Sequence, residues 1–113
     1  MKPIVRTLFA KTPSTAVGEE IKPLLDGTSF RLESIHSYGQ PTPGGFWYDQ
    51  TNDEWVLLAR GTARLEIEGE GMMELTSGDH LLIPARCRHR VDWASDDAVW
   101  LALHATFHLH SAP

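Results

Sequence analysis

The chain has 113 residues, 42% hydrophobic and 22% charged, with four tryptophans; this excludes a disordered segment, and the length suits one domain over residues 1–113 with one site. A formal net charge of −5 excludes a general electrostatic pull toward nucleic acid or anionic membranes, because phosphate binding needs an excess of Lys and Arg. The single Cys87 excludes an internal disulfide, no stretch of about 18 apolar residues is available to span a membrane, and Lys2, Arg6 and Lys11 interrupt any leader-like run, so the expectation is a cytoplasmic protein that acts on small molecules.

Glycine and proline recur at short intervals, with apolar runs of about five to nine residues between them, which is the rhythm of an all-β barrel or sandwich. In chain order, IVRTLF (residues 4–9) is a short candidate strand, followed by a Pro-containing loop. FRLESIHSYG (30–39) predicts a strand that runs into the turn-rich QPTPGG (40–45). GFWYDQTNDEWVLLARG (45–61) reads as a turn and then a strand, apolar on both faces over residues 55–59. In residues 62–68, Ala63, Leu65 and Ile67 alternate with polar residues, so this strand has one face in water. EGEG (68–71) predicts a hairpin turn into a strand over 72–76, with glycines supplying positive φ. GDHLLIPARCRHRVDW (78–93) again reads as a turn and then a strand, and AVWLAL (98–103) is apolar on both faces. Strands apolar on both faces need a second apolar layer or a partner subunit, which points to a homodimer.

Strand parity places Glu54, Val56 and Leu58 on one face, and Cys87, His89, Val91 and Trp93 on one face of the later strand, opposite Arg86, Arg88, Arg90 and Asp92. An Arg row alternating with an apolar row predicts that His89 points inward, where a buried imidazole needs a partner. Glu54 is the candidate, as an acid and base pair with His89 held charged by the carboxylate.

The two stretches, about residues 45–61 and 78–93, resemble the paired signatures of the cupin superfamily, G-x5-H-x-H-x3/4-E-x6-G and G-x5-P-x-G-x2-H-x3-N. Glu54 is followed by six residues and Gly61, and Gly78, Pro84 and His89 keep the second spacing. The resemblance implies a double-stranded β-helix, or jelly-roll, barrel with a pocket inside it, and a divalent metal held by two histidines, the glutamate and the last histidine. Both first-motif histidines are absent here: their places fall on Tyr48 and Gln50, or on Trp47 and Asp49, while Arg86 replaces the second motif's glycine and Trp93 its asparagine. What remains is a metal set of Gln50, Glu54 and His89, with Asp49 as the alternative to Gln50; parity with Glu54 favours Gln50. Such a set of one imidazole and two oxygens would hold zinc, nickel, iron or manganese weakly.

The expected pocket is therefore lined by Tyr48, Gln50, Glu54 and His89, with His89 and Glu54 as the catalytic pair. Cys87 is a small filler or a rim nucleophile, and His36 and His104 are core residues or additional cavity residues. His104, His108 and His110 offer a His-x-His chelate if that segment is a strand. Arg86, Arg88 and Arg90 are a solvated face or an anion grip. Two functions stay open, a small-molecule enzyme with or without a weakly held metal, and a binding or sensing module that has lost the chemistry with its histidines; a third, structural role also stands.

Overall fold

The computed structural model describes residues 1–10, 19–37 and 46–108, and every regular element in them is a strand. In order these are β1 (Glu19–Asp26), β2 (Arg31–Ser37), β3 (Asp53–Arg60), β4 (Thr62–Ile67), β5 (Gly71–Thr76), β6 (His80–Ile83), β7 (His89–Ala94) and β8 (Val99–Ala105). They form two antiparallel sheets, ordered β1-β2-β8-β3-β6 and β5-β4-β7. Partners far apart in sequence, β2 with β8 and β4 with β7, wrap the chain into the jelly-roll barrel. No helix among the described residues is long and apolar enough to cross a membrane.

The core lies between the sheets because period-two strands each send alternate residues inward. On β3, Glu54, Val56 and Leu58 are buried while residues 55, 57 and 59 are half-buried. On β4, Ala63, Leu65 and Ile67 are buried, and they pack with Leu75, Ile83, Val91, Ala94 and Trp100. The hairpin at residues 68–70 joins β4 to β5, with Gly69 and Gly71 at φ of 86° and 88°. Gly61, which turns β3 into β4, has a φ of 93°, and a Cβ there would lie 2.5 Å from Ser95 Oγ and 2.9 Å from Ala98 Cα. Both the backbone angle and the space demand glycine at that motif position.

Several expectations are corrected. IVRTLF is not a strand: residues 1–10 pair with no sheet, Val5 is almost fully exposed, and Phe9 instead lies under Arg60, 3.9 Å from its guanidinium carbon. In its place β1 forms from EEIKPLLD, which the charges and Pro23 had hidden. It is an edge strand with a bulge between Pro23 and Leu25, a position that tolerates proline's missing N–H. The stretch 78–93 holds two strands, β6 and β7, not one. Within β7, Val91 faces Leu65 while Trp93 faces Arg64, so Asp92 is an extra residue. The bulge reverses the parity, burying Ala94 and leaving Trp93 43% exposed, away from the face of His89 and Val91. The expected turn at 40–45 lies outside the described residues.

The strands with two apolar faces also have a structural outcome. Leu101 and Leu103 on β8 pair with Leu57 and Trp55 on β3, and this outer row is half-buried. On β2, Ser34 and His36 are buried as well as Glu33.

Candidate functional site

Two backbone features deliver the central pair. Glu54 is the second residue of β3, and parity turns it inward opposite His104 of β8 on one side and Ile83 of β6 on the other. His89 opens β7, paired with Ile67 of β4, and its other backbone edge is taken by Tyr48. Tyr48 N–H donates to the His89 carbonyl at 2.8 Å and His89 N–H to the Tyr48 carbonyl at 3.1 Å. That bridge sets the Tyr48 ring on the His89 imidazole, with centroids 5.5 Å apart and planes at 26°. Phe46 abuts Tyr48 edge-on at 5.1 Å.

Across the barrel, His89 Nε2 lies 3.3 Å from Glu54 Oε1, and both residues are buried. His89 Nδ1 lies 2.9 Å from the Cys87 carbonyl, which can only accept, so Nδ1 carries a hydrogen and Nε2 is the nitrogen that faces Glu54. Burial on its own would lower the His89 pKa. The Glu54 carboxylate beside it and the Cys87 carbonyl outweigh that, and the net direction is upward from 6.5.

A cavity of about 60 Å³ opens beside this pair, with Glu19, Glu33, Tyr48, Gln50, Glu54 and His89 as its polar lining and Ile21, Ile35, Val56, Leu65, Ile83, Val91 and Trp100 as its apolar walls. The four expected pocket residues are thus brought together. Gln50 is held by its backbone carbonyl, which accepts from Arg86 N–H at 2.8 Å, and its Oε1 is buried without a hydrogen-bond partner. Asp49 points the other way, exposed and paired with Arg86 Nε at 3.3 Å, and does not line the cavity. The Tyr48 hydroxyl is pushed up to about 12, first by burial and then by Glu19, Glu54 and Glu33, so it stays a donor at neutral pH.

Two cavity residues escaped the sequence. Glu19 lies on the unexpected strand β1, and burial followed by Glu54 raises its pKa. Glu33 on β2 also lines the cavity. His104, expected as a core or an additional cavity residue, is a core residue outside the lining: its Nε2 sits 2.8 Å from Glu33 Oε1 and 3.8 Å from Glu54 Oε2, behind the cavity acids. The signal for Glu33 was its spacing of two from Ile35, but a single glutamate in a half-apolar run reads as a solvent-facing residue.

Other candidates fall elsewhere. Cys87 packs half-buried against the core, and its thiol does not line the cavity. Arg88 and Arg90 pair with Glu68 and Glu66 at 2.9 and 3.4 Å, so with Arg86–Asp49 the Arg row is a ladder of surface ion pairs. Residues 106–108 lie beyond β8 and His108 is exposed, while His110 lies outside the described residues. His36 is buried on β2 and does not line the cavity.

Two antiparallel sheets wrapped as a jelly roll around an inward glutamate and histidine define a small β-barrel of the double-stranded β-helix class. Residues 39–104, more than half of the chain, match the cupin domain family, and the chain belongs to that family. The structure is similar to that of a Ralstonia eutropha JMP134 protein provisionally named a mannose-6-phosphate isomerase, with 42% identity over 93% of this chain and 100% of that one and a TM-score of 0.84. The fold is shared with an RmlC-like cupin of Desulfovibrio desulfuricans (16% identity, 93% and 97% of the two chains, TM-score 0.72). It is also shared with KdgF from a Halomonas species (18% identity, 84% and 86%, TM-score 0.69). No curated protein matches the chain.

Proposed function

We propose that this cupin binds a small molecule in the barrel cavity and transfers a proton there through Glu54 and His89. The observation that carries the reading is the 3.3 Å approach of Glu54 Oε1 to His89 Nε2, two buried groups at the wall of a cavity with Tyr48 and Gln50. With Nδ1–H fixed on the Cys87 carbonyl, Nε2 takes or gives the proton, and Glu54 stabilises the imidazolium form. The Tyr48 hydroxyl, still protonated at neutral pH, donates to a substrate oxygen. The Ralstonia protein's provisional name describes an isomerisation, and a carboxylate–imidazole pair suits a proton shift beside a carbonyl.

The donor set also fits a weakly held divalent ion. Nitrogen and oxygen ligands about 2.1 Å from one ion at a near-tetrahedral angle lie roughly 3.4 Å apart, close to the 3.3 Å between His89 Nε2 and Glu54 Oε1, and the orphaned Gln50 Oε1 supplies a third donor. When bound, zinc, nickel, iron or manganese would polarise a substrate oxygen as a Lewis acid. His89 Nε2 is then shared between two uses, since a proton and an ion compete for one lone pair.

A second reading, a binding or sensing module without turnover, is favoured by one observation. Among the described residues no three His, Cys, Asp or Glu side chains are grouped to hold a metal, so the third ligand would have to be an amide. Tag-free protein, analysed for metal before and after chelation and re-addition, distinguishes these readings together with Gln50→Ala, Glu54→Ala and His89→Ala. Near one metal per chain, lost on His89→Ala, supports the metal enzyme. A ligand found by thermal-shift screening that needs Glu54 and His89 but is returned unchanged supports the sensing module. The site reading fails if no small molecule binds and the three substitutions change nothing. The outer row of Trp55, Leu57, Leu101 and Leu103 is the face we assign to a homodimer, and a monomer in sedimentation would remove that assignment.

A further inference from the structure

The cavity's polar groups are mostly acceptors. Glu54 is 6% exposed, and its Oε1 has only His89 Nε2 near it, 3.3 Å away and poorly aligned, so it can take a further donor. Gln50 Oε1 is buried without a hydrogen-bond partner, and Glu19 adds a further carboxylate to the lining. Glu33 differs, because His104 holds one of its oxygens and Arg31, itself about half exposed, reaches the other from outside at 3.2 Å. No Lys or Arg belongs to the lining. Buried oxygens without donors are costly, and the group that relieves them must bring N–H or O–H bonds into the cavity.

Charge and size narrow the choice. A phosphate or carboxylate ligand would meet the acids Glu19 and Glu54, and the one group in the lining that can carry a positive charge, the His89 imidazole, already faces Glu54 at 3.3 Å; with no guanidinium or ammonium beside it, the lining disfavours the phosphate in the Ralstonia protein's provisional name. The space of about 60 Å³ is open to solvent on one side, which suits a small polar head group with a short alkyl part lying against the apolar walls. A neutral alcohol offers one hydrogen, whereas an ammonium group offers three donors and a positive charge.

We propose that the cavity binds a small organic ammonium ion, its N–H groups donating to Glu54 Oε1, Gln50 Oε1 and Glu19, and its short alkyl part lying against Ile35, Val56 and Ile83. The proposal rests on the assignment of this cavity as the ligand site and names the class of ligand it takes. The acceptors lie on β1, β3 and the segment before β3, so the ion would draw the edge strand and the motif strand onto one group.

The test uses the whole chain, freed of metal with a chelator and followed by heteronuclear NMR of the tryptophan indole and cavity backbone signals. It is titrated in turn with propylammonium chloride, 1-propanol, sodium propionate and mannose 6-phosphate. Propylammonium should saturate signals from Trp100 and Val91, at least about tenfold more tightly than 1-propanol, and Glu19→Gln should weaken it about tenfold without loss of the folded spectrum. Propionate and the sugar phosphate should leave these signals unmoved. Binding of 1-propanol or propionate as tight as that of propylammonium, binding of the sugar phosphate at these signals, or no saturation by propylammonium overturns the ammonium assignment. If an anion or alcohol binds there instead, the cavity is still the ligand site and only its ligand class is wrong. Silence from all four probes together with an empty thermal-shift screen removes both. The comparison among ligands on the unmodified protein stands whether or not Glu19→Gln folds.

Discussion

Glu33 and His104 share a buried hydrogen bond, Oε1 to Nε2 at 2.8 Å, between strands β2 and β8, and the same nitrogen reaches Glu54 Oε2 at 3.8 Å. One imidazole thus stands between two acids on strands that do not touch each other, because β8 lies between β2 and β3. Removing it leaves the buried Glu33 carboxylate with only Arg31 donating from outside, so His104→Ala should destabilise the fold by about 2 kcal/mol. Urea unfolding of His104→Ala, Glu33→Ala and the double variant checks this. The double variant should lose well under the sum of the two single losses, and strict additivity would show that the pair is not coupled.

Arg86 is the only described non-glycine residue with positive φ, at 64°, and it stands where the family motif has glycine. A side chain there costs about 1 kcal/mol in backbone strain, while its exposed ion pair with Asp49 contributes under about 1 kcal/mol. Arg86→Gly is expected to raise the melting temperature by a few degrees. Arg86→Ala loses the ion pair and keeps the strain, so it should not gain. Identical melting temperatures for the two variants would mean that the side chain, not the backbone angle, sets the stability here.

Gly61 and Gly78 share a left-handed backbone, with φ of 93° and 95°, but differ in surroundings: a Cβ on Gly61 meets Ser95 and Ala98, and one on Gly78 meets nothing within 4 Å. Gly78→Ala should cost about 1 kcal/mol for the angle alone. Gly61→Ala should cost roughly 2–4 kcal/mol, since a clash is added to the angle. Calorimetry of the two variants separates these contributions, and equal losses would contradict the packing at the β3–β4 corner.

Two groups set the pH response. His89 has a folded pKa above its ordinary 6.5 because of Glu54 and the Cys87 carbonyl, against burial. Its contribution to stability is therefore complete below about pH 6.5 and disappears as pH rises through the higher folded value. Asp53 behaves in the opposite sense. Backbone N–H groups of Phe107 and then Ala85 donate to its carboxylate and hold it below 3.8, so its contribution is present above about pH 3.8 and is lost as pH falls through the folded value. Melting temperature against pH on chelator-treated protein should show both limbs. Glu54→Gln should flatten the neutral one and Asp53→Asn the acid one, and a neutral limb that survives Glu54→Gln would reassign it.

Much of the fold was legible because it depended on short-range rules. Alternation in Ala63, Leu65 and Ile67, and glycines at 61, 69 and 71, set strands and turns through local geometry. Parity likewise separated Gln50, in the cavity, from Asp49, at the surface. Contacts set by pairing across the barrel were hidden. Glu19 and Glu33 become cavity residues only because β1 and β2 pair and β2 joins β8, and nothing within EEIKPLLD announces that edge strand. Trp93 was misplaced for a related reason: one extra residue in β7 reverses the parity, and a bulge depends on the partner strand as much as on its own sequence.

Asp53 and Glu54 are neighbours with opposite duties. The first clasps the backbone of the Pro84–Cys87 turn and of the segment after β8 from outside the cavity, and the second faces His89 within it. A single peptide bond therefore separates the protein's fastener from its cavity carboxylate. Inserting one residue before Asp53 while the rest of β3 keeps its register would leave Glu54 in place. Shifting that register by one would turn Glu54 to the outer, half-buried face and leave no carboxylate opposite His89 unless Asp53 moved into its place. The same covalent step that fastens the barrel's outer seam also aims the carboxylate that faces His89.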